Sequence, residues 1–334
     1  MRIAVLMGGT SSERDVSMAS GLRIAQALRS RGHTVMAVDT AHGLLSAGEE
    51  DAMLAGQLMR TVPPDVQALV RLEQSLPQQL QRVSDTDVVF LGLHGGRGED
   101  GTIQALLDLT GVAYTGSGHL ASALAMDKDL SKKLFRSAGV PTADWLMAPV
   151  TIAQVAETCG FPCIVKPSKQ GSTVGLSLVK AESDLEGAIA AAREHDDEVM
   201  IERFIAGREL TVAVLGDEVL PVGEIIPVHE LYDYECKYTP GMAREVFPAD
   251  LTAAETGRVQ ELALKAYDVL KLAGCARIDF RLSPDGEFYC LEANTLPGMT
   301  ELSLVPQAAQ AAGISFPELC ERIVSLALKS GGRR

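Results

Sequence analysis

Residues 277–306 read RIDFRLSPDGEFYCLEANTLPGMTELSLVP. Two alternating segments flank Ser283-Pro284-Asp285-Gly286, a turn signal, so a β-hairpin followed by a Gly/Pro-containing loop is expected. With an even-length turn, Asp279 shares a face with Glu292 and Asn294, because strand side chains alternate with period two. Ile278, Phe280, Leu291 and Ala293 then form the opposite face and grip the core. The first face collects two carboxylates, an amide oxygen and two guanidinium groups, Arg277 and Arg281. Hard oxygen donors on a rigid hairpin suit Mg²⁺, which favours octahedral oxygen coordination shared with substrate phosphates. The hairpin taken alone fits an exposed face with ordinary ion pairs equally well, so the rest of the chain has to decide.

A chain of 334 residues has the length for two or three domains. Hydrophobic residues make up 46% and charged residues 22%, an ordinary soluble globular composition. The formal net charge of −14 argues against a nucleic-acid or anionic-membrane partner but leaves room for a local cationic site. Cys159, Cys163, Cys236, Cys275, Cys290 and Cys320 form no CxxC pair and no metal-ligand spacing, so buried free thiols are expected. The opening MRIAVLMGG reads as a first strand rather than a signal peptide, and no run reaches membrane-spanning length. A cytoplasmic protein is expected.

Residues 1–40 read as strand, Gly8-Gly9 turn, helix and strand. No GxGxxG is present, which removes the main support for a dinucleotide-binding dehydrogenase. Glu13 is either a helix-start carboxylate or a ligand-facing group at the carboxyl ends of the strands. Residues 41–86 are helical in pattern, broken at Pro63-Pro64, and carry no chemical constellation. The strand DVVFLGL (87–93) leads to HGGRGEDG, a loop with backbone freedom and charge that includes His94.

A helix carrying Asp127-Lys128 opens the second unit and stops at Gly139 and Pro141. CIVKPSKQGSTVGLSLVK then places Lys166 on one strand and Gly171, Ser172, Thr173 and Gly175 in a loop before the next. This is no Walker P-loop, but a glycine-rich loop between strands with a lysine on the first also covers phosphates. A helix from Ser183, opened by a Ser183/Glu186 capping box, and strands 198–204 and 209–215 follow. Glu202 and Glu209 interrupt those apolar strands, which is costly unless they have partners. Residues 227–250 hold Tyr232, Tyr234, Lys237 and Tyr238 without periodicity, in the manner of an active-site cover. A helix capped by Thr252 and Glu255 delivers the chain into the hairpin, and two helices end it.

An oxygen-ligand hairpin, a glycine-rich loop with a strand lysine and a covering loop together describe an ATP site. Here the sequence resembles the ATP-grasp superfamily and, within it, the D-alanine–D-alanine ligase family. The likeness is carried by GGTSSERDVS, LHGGRGEDG, YTGSG, MDK, VKPSKQGSTVG, YDYECKY, RIDF and LEANTLPGMT…S, in order along nearly the whole chain. It implies an α/β (α+β) ATP-grasp fold with an N-terminal open parallel-sheet, Rossmann-like domain over 1–116. A central subdomain (117–201) would carry the glycine-rich loop, and a C-terminal one (202–334) the hairpin and cover.

The resemblance further implies ATP-dependent ligation of two D-alanines, through an acyl phosphate, for peptidoglycan synthesis. Asp279, Glu292 and Asn294 would hold two Mg²⁺, with Mn²⁺ as a substitute ion. Lys128, Lys166 and Lys237, with Gly171 and Thr173 of the loop, would hold phosphates. Glu202 and Glu209 would read adenine and ribose. Arg277 and the Gly298 N–H would stabilise the oxyanion. Glu13 would pair with the first substrate's ammonium, and His94 would sit near its carboxylate. Ser172 and Tyr238 would close the site beside Glu13, and Ser303 would bind the second substrate's carboxylate. A homodimer is expected. Tyr238 favours a dipeptide, because relatives that use D-lactate carry phenylalanine there. The rivals are a D-lactate or D-serine ligase of the same fold and a non-catalytic ATP-binding relative.

Overall fold

The computed structural model describes residues 1–56, 83, 85–229, 232, 236, 239 and 241–330. Lys237, Tyr238 and most of the 41–86 stretch lie outside these described residues.

The chain opens with β1 (Arg2–Met7), α1 (Arg14–Ser30), β2 (Thr34–Asp39), β3 (Gly43–Leu44), α2 (Ala47–Ala55) and β4 (Val88–Leu91). Residues 3–7 of β1 are wholly buried because β1 is the middle strand, parallel to β2 and β4. The sheet order is β3-β2-β1-β4, with β3 antiparallel at the edge. This open sheet aims the loops at 8–13 and 92–101 in one direction, off the carboxyl ends of its parallel strands.

Next come α3 (Thr102–Thr110), α4 (His119–Met126) and α5 (Lys128–Ser137). The single helix expected around Asp127-Lys128 is two helices. Asp127 leaves helical geometry and caps α5 by accepting from the Leu130 N–H at 3.0 Å. A second sheet is antiparallel, in the order β5-β8-β6-β7, built from β5 (Trp145–Met147), β6 (Cys163–Pro167), β7 (Ser177–Val179) and β8 (Val199–Arg203). Helices α6 (Ile152–Thr158) and α7 (Leu185–Arg193) accompany it. The expected Ser183/Glu186 capping box is absent. Residues 182–184 form a 3₁₀ turn, and the Ser183 hydroxyl is drawn to its neighbour Asp184.

The third sheet holds β9 (Arg208–Leu215), β10 (Glu218–Val219), β11 (Gly223–Pro227), β12 (Ala243–Val246), β13 (Cys275–Leu282) and β14 (Phe288–Asn294). Helix α8 (Ala253–Val269) starts at the expected Thr252/Glu255 capping box, and its Val259, Leu262 and Ala266 pack on Val212, Ile278 and Phe280. Helices α9 (Leu304–Ala311) and α10 (Phe316–Ser330) close the chain, and α10 packs back on α1. All six cysteines are buried free thiols, as their spacing predicts.

The hairpin reaches the expected arrangement by an unexpected route. Asp279 lies directly opposite Glu292, and Arg277 opposite Asn294. The connection from Leu282 to Phe288 spans five residues, an odd number, which alone would throw Glu292 to the wrong face. A register shift between Asp279 and Phe280 restores it, because Phe280 pairs with Cys290 and Leu291 is the extra residue. Leu291 therefore leaves the core, where Cys290 takes its place, and faces the site beside Glu292. The core-facing set is Ile278, Phe280, Cys290 and Ala293.

Candidate active site

The second and third sheets face each other across a cleft. Its walls carry Lys166 from β6, Glu202 from β8, Glu209 from β9, and Asp279 and Glu292 from the hairpin. Gly171, Ser172 and Thr173 form its roof. A Cβ at Gly171 would sit 2.9 Å from Glu13 Oε2, so any larger residue there would have to push the Glu13 carboxylate aside. Ser172 and Thr173 both adopt left-handed backbone, with φ of 50° and 59°. That costs of order 1–3 kcal/mol per residue and persists only where surroundings enforce it.

The cleft opens into a second chamber, with Gly171, Ser172, Tyr232, Arg277 and Glu292 shared by both. Glu13, His94 and Glu99 enter that chamber from the first sheet, and Asn294, Gly298 and Ser303 from the segment after β14. Of the residues to which the resemblance assigns a site role, all but Lys237 and Tyr238 fall within the described residues, and each of these lines one chamber or the other.

The cations are held in reserve by the carboxylates. Arg277 is a fork on Asp279, with Nε 3.0 Å from Oδ1 and a terminal nitrogen 2.8 Å from Oδ2. Burial works against the guanidinium charge, but Asp279 and Glu292 outweigh it and hold Arg277 firmly protonated. Thr211 Oγ1 also donates to Asp279, at 2.7 Å, and Asn294 donates its amide N–H at 3.0 Å, which leaves the Asn294 carbonyl oxygen for the cleft. Lys128 reaches Glu292 at 3.2 Å and donates to the Gln170 carbonyl at 2.7 Å. Glu209 pairs with Arg281 at 3.1 Å. Two carboxylates and one amide oxygen on one hairpin face form an all-oxygen donor set, which fits Mg²⁺ or Mn²⁺ and not a soft metal.

In the second chamber the Ser172 hydroxyl donates to Glu13. His94 has both ring nitrogens engaged: Nδ1 meets the Leu296 carbonyl at 2.8 Å and Nε2 the Ser20 hydroxyl at 3.0 Å. Ser20 in turn accepts from the Met299 N–H at 3.2 Å. The carbonyl requires Nδ1 to donate, and burial holds the imidazole pKa below its ordinary value, which favours the neutral ring. His94 and Ser20 thus brace the 296–299 segment that presents Gly298. A Cβ on Gly298 would sit 2.8 Å from Ser303 Oγ, so glycine is required for this approach. Ser303 stands at the N-terminus of α9, where the helix dipole favours an anion.

Two further residues belong to the site without having been singled out. Glu99 accepts from the Gly95 N–H at 2.8 Å and the Leu296 N–H at 3.3 Å, tying the first sheet's loop to the segment after the hairpin. Lys132 contacts Glu202 from behind. Its signal was its spacing: one turn after Lys128 on a helix, it lies on the same face.

Two sheets that clasp a cleft between a glycine-rich loop and an oxygen-bearing hairpin are the ATP-grasp architecture. Family models described as D-ala D-ala ligase N-terminus and C-terminus match residues 2–117 and 134–325. The chain belongs to the D-alanine–D-alanine ligase family. It is 42% identical to the D-alanine--D-alanine ligase of Synechococcus sp. (strain JA-2-3B'a(2-13)), over 98% of this chain and 94% of that protein. Among solved structures, the VanG D-Ala:D-Ser ligase from Enterococcus faecalis matches with a TM-score of 0.82 at 30% identity, covering 98% of this chain and 99% of that one. The D-alanine--D-alanine ligase from Bacillus anthracis complexed with ATP matches with a TM-score of 0.78 at 30% identity, over 100% of this chain and 99% of that one.

Proposed function

We propose that the protein joins two D-alanines at the expense of ATP, making D-alanyl-D-alanine for cell-wall peptidoglycan. The observation that carries this reading is the junction of two chambers at Arg277, Glu292 and Ser172, one lined with nucleotide chemistry and the other with amino-acid chemistry. Family membership and the 42% identity to a D-alanine--D-alanine ligase support the substrate.

In this reading, Lys166, Lys128 and Lys237 take the phosphates under the roof of Gly171 and Thr173, while Glu202 and Glu209 hold adenine and ribose. Asp279, Glu292 and Asn294 would hold the two Mg²⁺ ions, or Mn²⁺ in their place. When bound, these ions neutralise charge on the phosphates. Glu13, steadied by the Ser172 hydroxyl, receives the ammonium of the first D-alanine. The first carboxylate then lies toward Arg277 and accepts the γ-phosphoryl group, with ADP as the leaving group. The amine of the second D-alanine, oriented by Ser303 at the head of α9, attacks the acyl phosphate. Arg277 and the Gly298 N–H stabilise the tetrahedral oxyanion, and phosphate leaves. Because the attacking amine must be uncharged, turnover rises toward mildly alkaline pH where chemistry limits the rate.

The proposal extends to a working division at 1–116, 117–201 and 202–334, supported by the first sheet lying in the first part and the third sheet in the last, while β8 of the second sheet crosses the boundary at 201/202. A cytoplasmic homodimer completes it, supported by the family resemblance and the need for ATP. Among the described residues no helix is long and apolar enough to cross a membrane. The test is phosphate release from ATP and Mg²⁺ with D-alanine, L-alanine, or D-alanine plus D-lactate, with products identified by mass. D-Alanine-dependent release of D-alanyl-D-alanine is expected. Release only with another pair would overturn the substrate.

A further inference from the structure

The rear wall of the nucleotide cleft holds a lysine that no solvent reaches. Lys132 is 0% exposed. Its ammonium donates to Glu202 Oε2 at 2.8 Å and to Thr142 Oγ1 at 2.7 Å, and it lies 5.1 Å from the Trp145 ring centroid. The Thr142 hydroxyl donates onward to the Cys290 carbonyl on β14, at 2.7 Å. One buried cation therefore touches β8 of the second sheet directly and β14 of the third through a single hydroxyl.

The other oxygen of Glu202 is taken by Lys166. One carboxylate between two ammonium groups leaves a surplus positive charge, and Lys166 is the member of the pair that lines the cleft. Were Lys166 the only partner of Glu202, a phosphate could recruit it only by leaving a buried carboxylate unpaired, which is strongly unfavourable. With Lys132 in place, Lys166 can turn away and Glu202 keeps a partner.

We propose that Lys132 is a positioning residue for nucleotide binding, holding Glu202 aligned and neutralised so that Lys166 is free to engage phosphate. The inference rests on the nucleotide-binding reading of Glu202 and Lys166 given above. Burial pushes the Glu202 carboxyl up, but Lys132 and Lys166 outweigh it and hold it at about 2. Glu202 is thus ionised at any working pH and requires a permanent counter-charge. Burial lowers the Lys132 pKa, and the Glu202 carboxylate opposes that shift.

Trp145 is the chain's single tryptophan and pairs with Glu202 across the β5–β8 ladder, so its emission reports on this point. The experiment titrates ADP against Trp145 fluorescence, and measures KM for ATP and for D-alanine, in wild type, K132M, E202Q and the double variant. In K132M, ADP binding weakens about tenfold and KM for ATP rises to match, while KM for D-alanine moves less than about twofold. In the E202Q background the same change alters ADP affinity by less than about twofold, because the carboxylate it serves is gone.

Wild-type ADP affinity in K132M, with E202Q impaired, overturns the proposal. So does an equal loss in both backgrounds. If K132M does not fold alone, E202Q against the double variant decides, since neither buries an unpaired carboxylate: equal affinities support the proposal and unequal ones overturn it. Unchanged ADP affinity in E202Q overturns the underlying role of Glu202, and the proposal falls with it.

Discussion

The Ser172 hydroxyl donates to the carboxylate of Glu13, which joins the glycine-rich loop to the first sheet across 159 residues of sequence. Ser172 and Thr173 hold left-handed backbone at this join. The bond therefore stabilises a loop conformation that L-residues otherwise resist. A hydrogen bond to a charged group contributes about 1.5–3 kcal/mol, so Ser172→Ala is expected to lower kcat/KM for D-alanine roughly ten- to hundredfold. Steady-state kinetics with D-alanine varied at saturating ATP check this. A defect confined to KM for ATP would contradict the assignment of Ser172 to the amino-acid chamber.

Glu292 is expected to couple cation demand to lysine placement. Its carboxylate is both a hairpin oxygen donor and the partner of Lys128 at 3.2 Å. Glu292→Gln loses the charge in both roles. The Mg²⁺ concentration for half-maximal rate should rise about tenfold or more, in line with the loss of one charged ligand. A chelator should abolish turnover of wild type. An unchanged Mg²⁺ titration in the variant would remove Glu292 from the ligand set.

The hairpin shows how a sequence reading can reach the right place by compensating errors. Alternation located the acidic face correctly, because period two is a property of any strand. Turn length and the extra residue at Leu291 were both invisible, since either depends on how the ladder closes on β9 and α8 rather than on local pattern. The motifs with special backbone needs, such as VKPSKQGSTVG and LEANTLPGMT, were legible because glycine and proline are tied to geometry. Lys132 and Glu99 were not. A lysine on a polar helix and an acid in a charged loop read as solvated until other elements are packed against them. Helix breaks also depended on competition: Asp127 capped α5 where a continuous helix was expected, and Ser183 turned to Asp184 instead of capping.

Glu99 makes stability depend on pH in a definite direction. Burial first, and Glu13 second, raise its carboxyl from 4.5 to about 7. The folded state then binds more protons than the unfolded state between those values, so stability falls as pH rises through that window and levels off above it. The loss amounts to about 3 kcal/mol at most. Thermal unfolding of wild type and Glu99→Gln from pH 4.5 to 8 is the check: wild-type Tm should fall relative to the variant as pH approaches 7. Parallel Tm curves would mean that Glu99 is ionised throughout.

Gly298 tests the acceptor side sterically. A Cβ at this position meets Ser303 Oγ at 2.8 Å, and Ser303 is already fixed by the Thr300 N–H at 3.0 Å. Gly298→Ala must therefore displace Ser303 or the N–H proposed to meet the oxyanion. The second D-alanine should bind at least about tenfold more weakly, with ADP affinity unaltered, because no nucleotide-cleft residue is touched. Initial rates across D-alanine concentrations, paired with Trp145 titrations by ADP, separate the two. Equal loss of both affinities would point to a general collapse of the segment.

Acceptor choice is the property least constrained by architecture, because relatives naming D-alanine and D-serine as acceptor share this fold. On the proposed reading, discrimination arises around Ser303 and Gly298 and through Tyr238, whose placement lies outside the described residues. The D-alanine ammonium must lose a proton before it can attack, whereas the D-lactate hydroxyl is already an uncharged nucleophile, so competition between the two is pH-dependent. With Tyr238 present, dipeptide formation should dominate at pH 7 and gain further toward alkaline pH. Tyr238→Phe removes one hydroxyl and should raise the depsipeptide share by about tenfold, the worth of one polar contact of about 1.4 kcal/mol. Mass analysis of products from equimolar D-alanine and D-lactate, at pH 6 and pH 8.5, reads the partition directly. If the wild-type enzyme already favours the depsipeptide at pH 6, or if Tyr238→Phe leaves the partition unchanged at both values, Tyr238 is not the residue that sets acceptor choice.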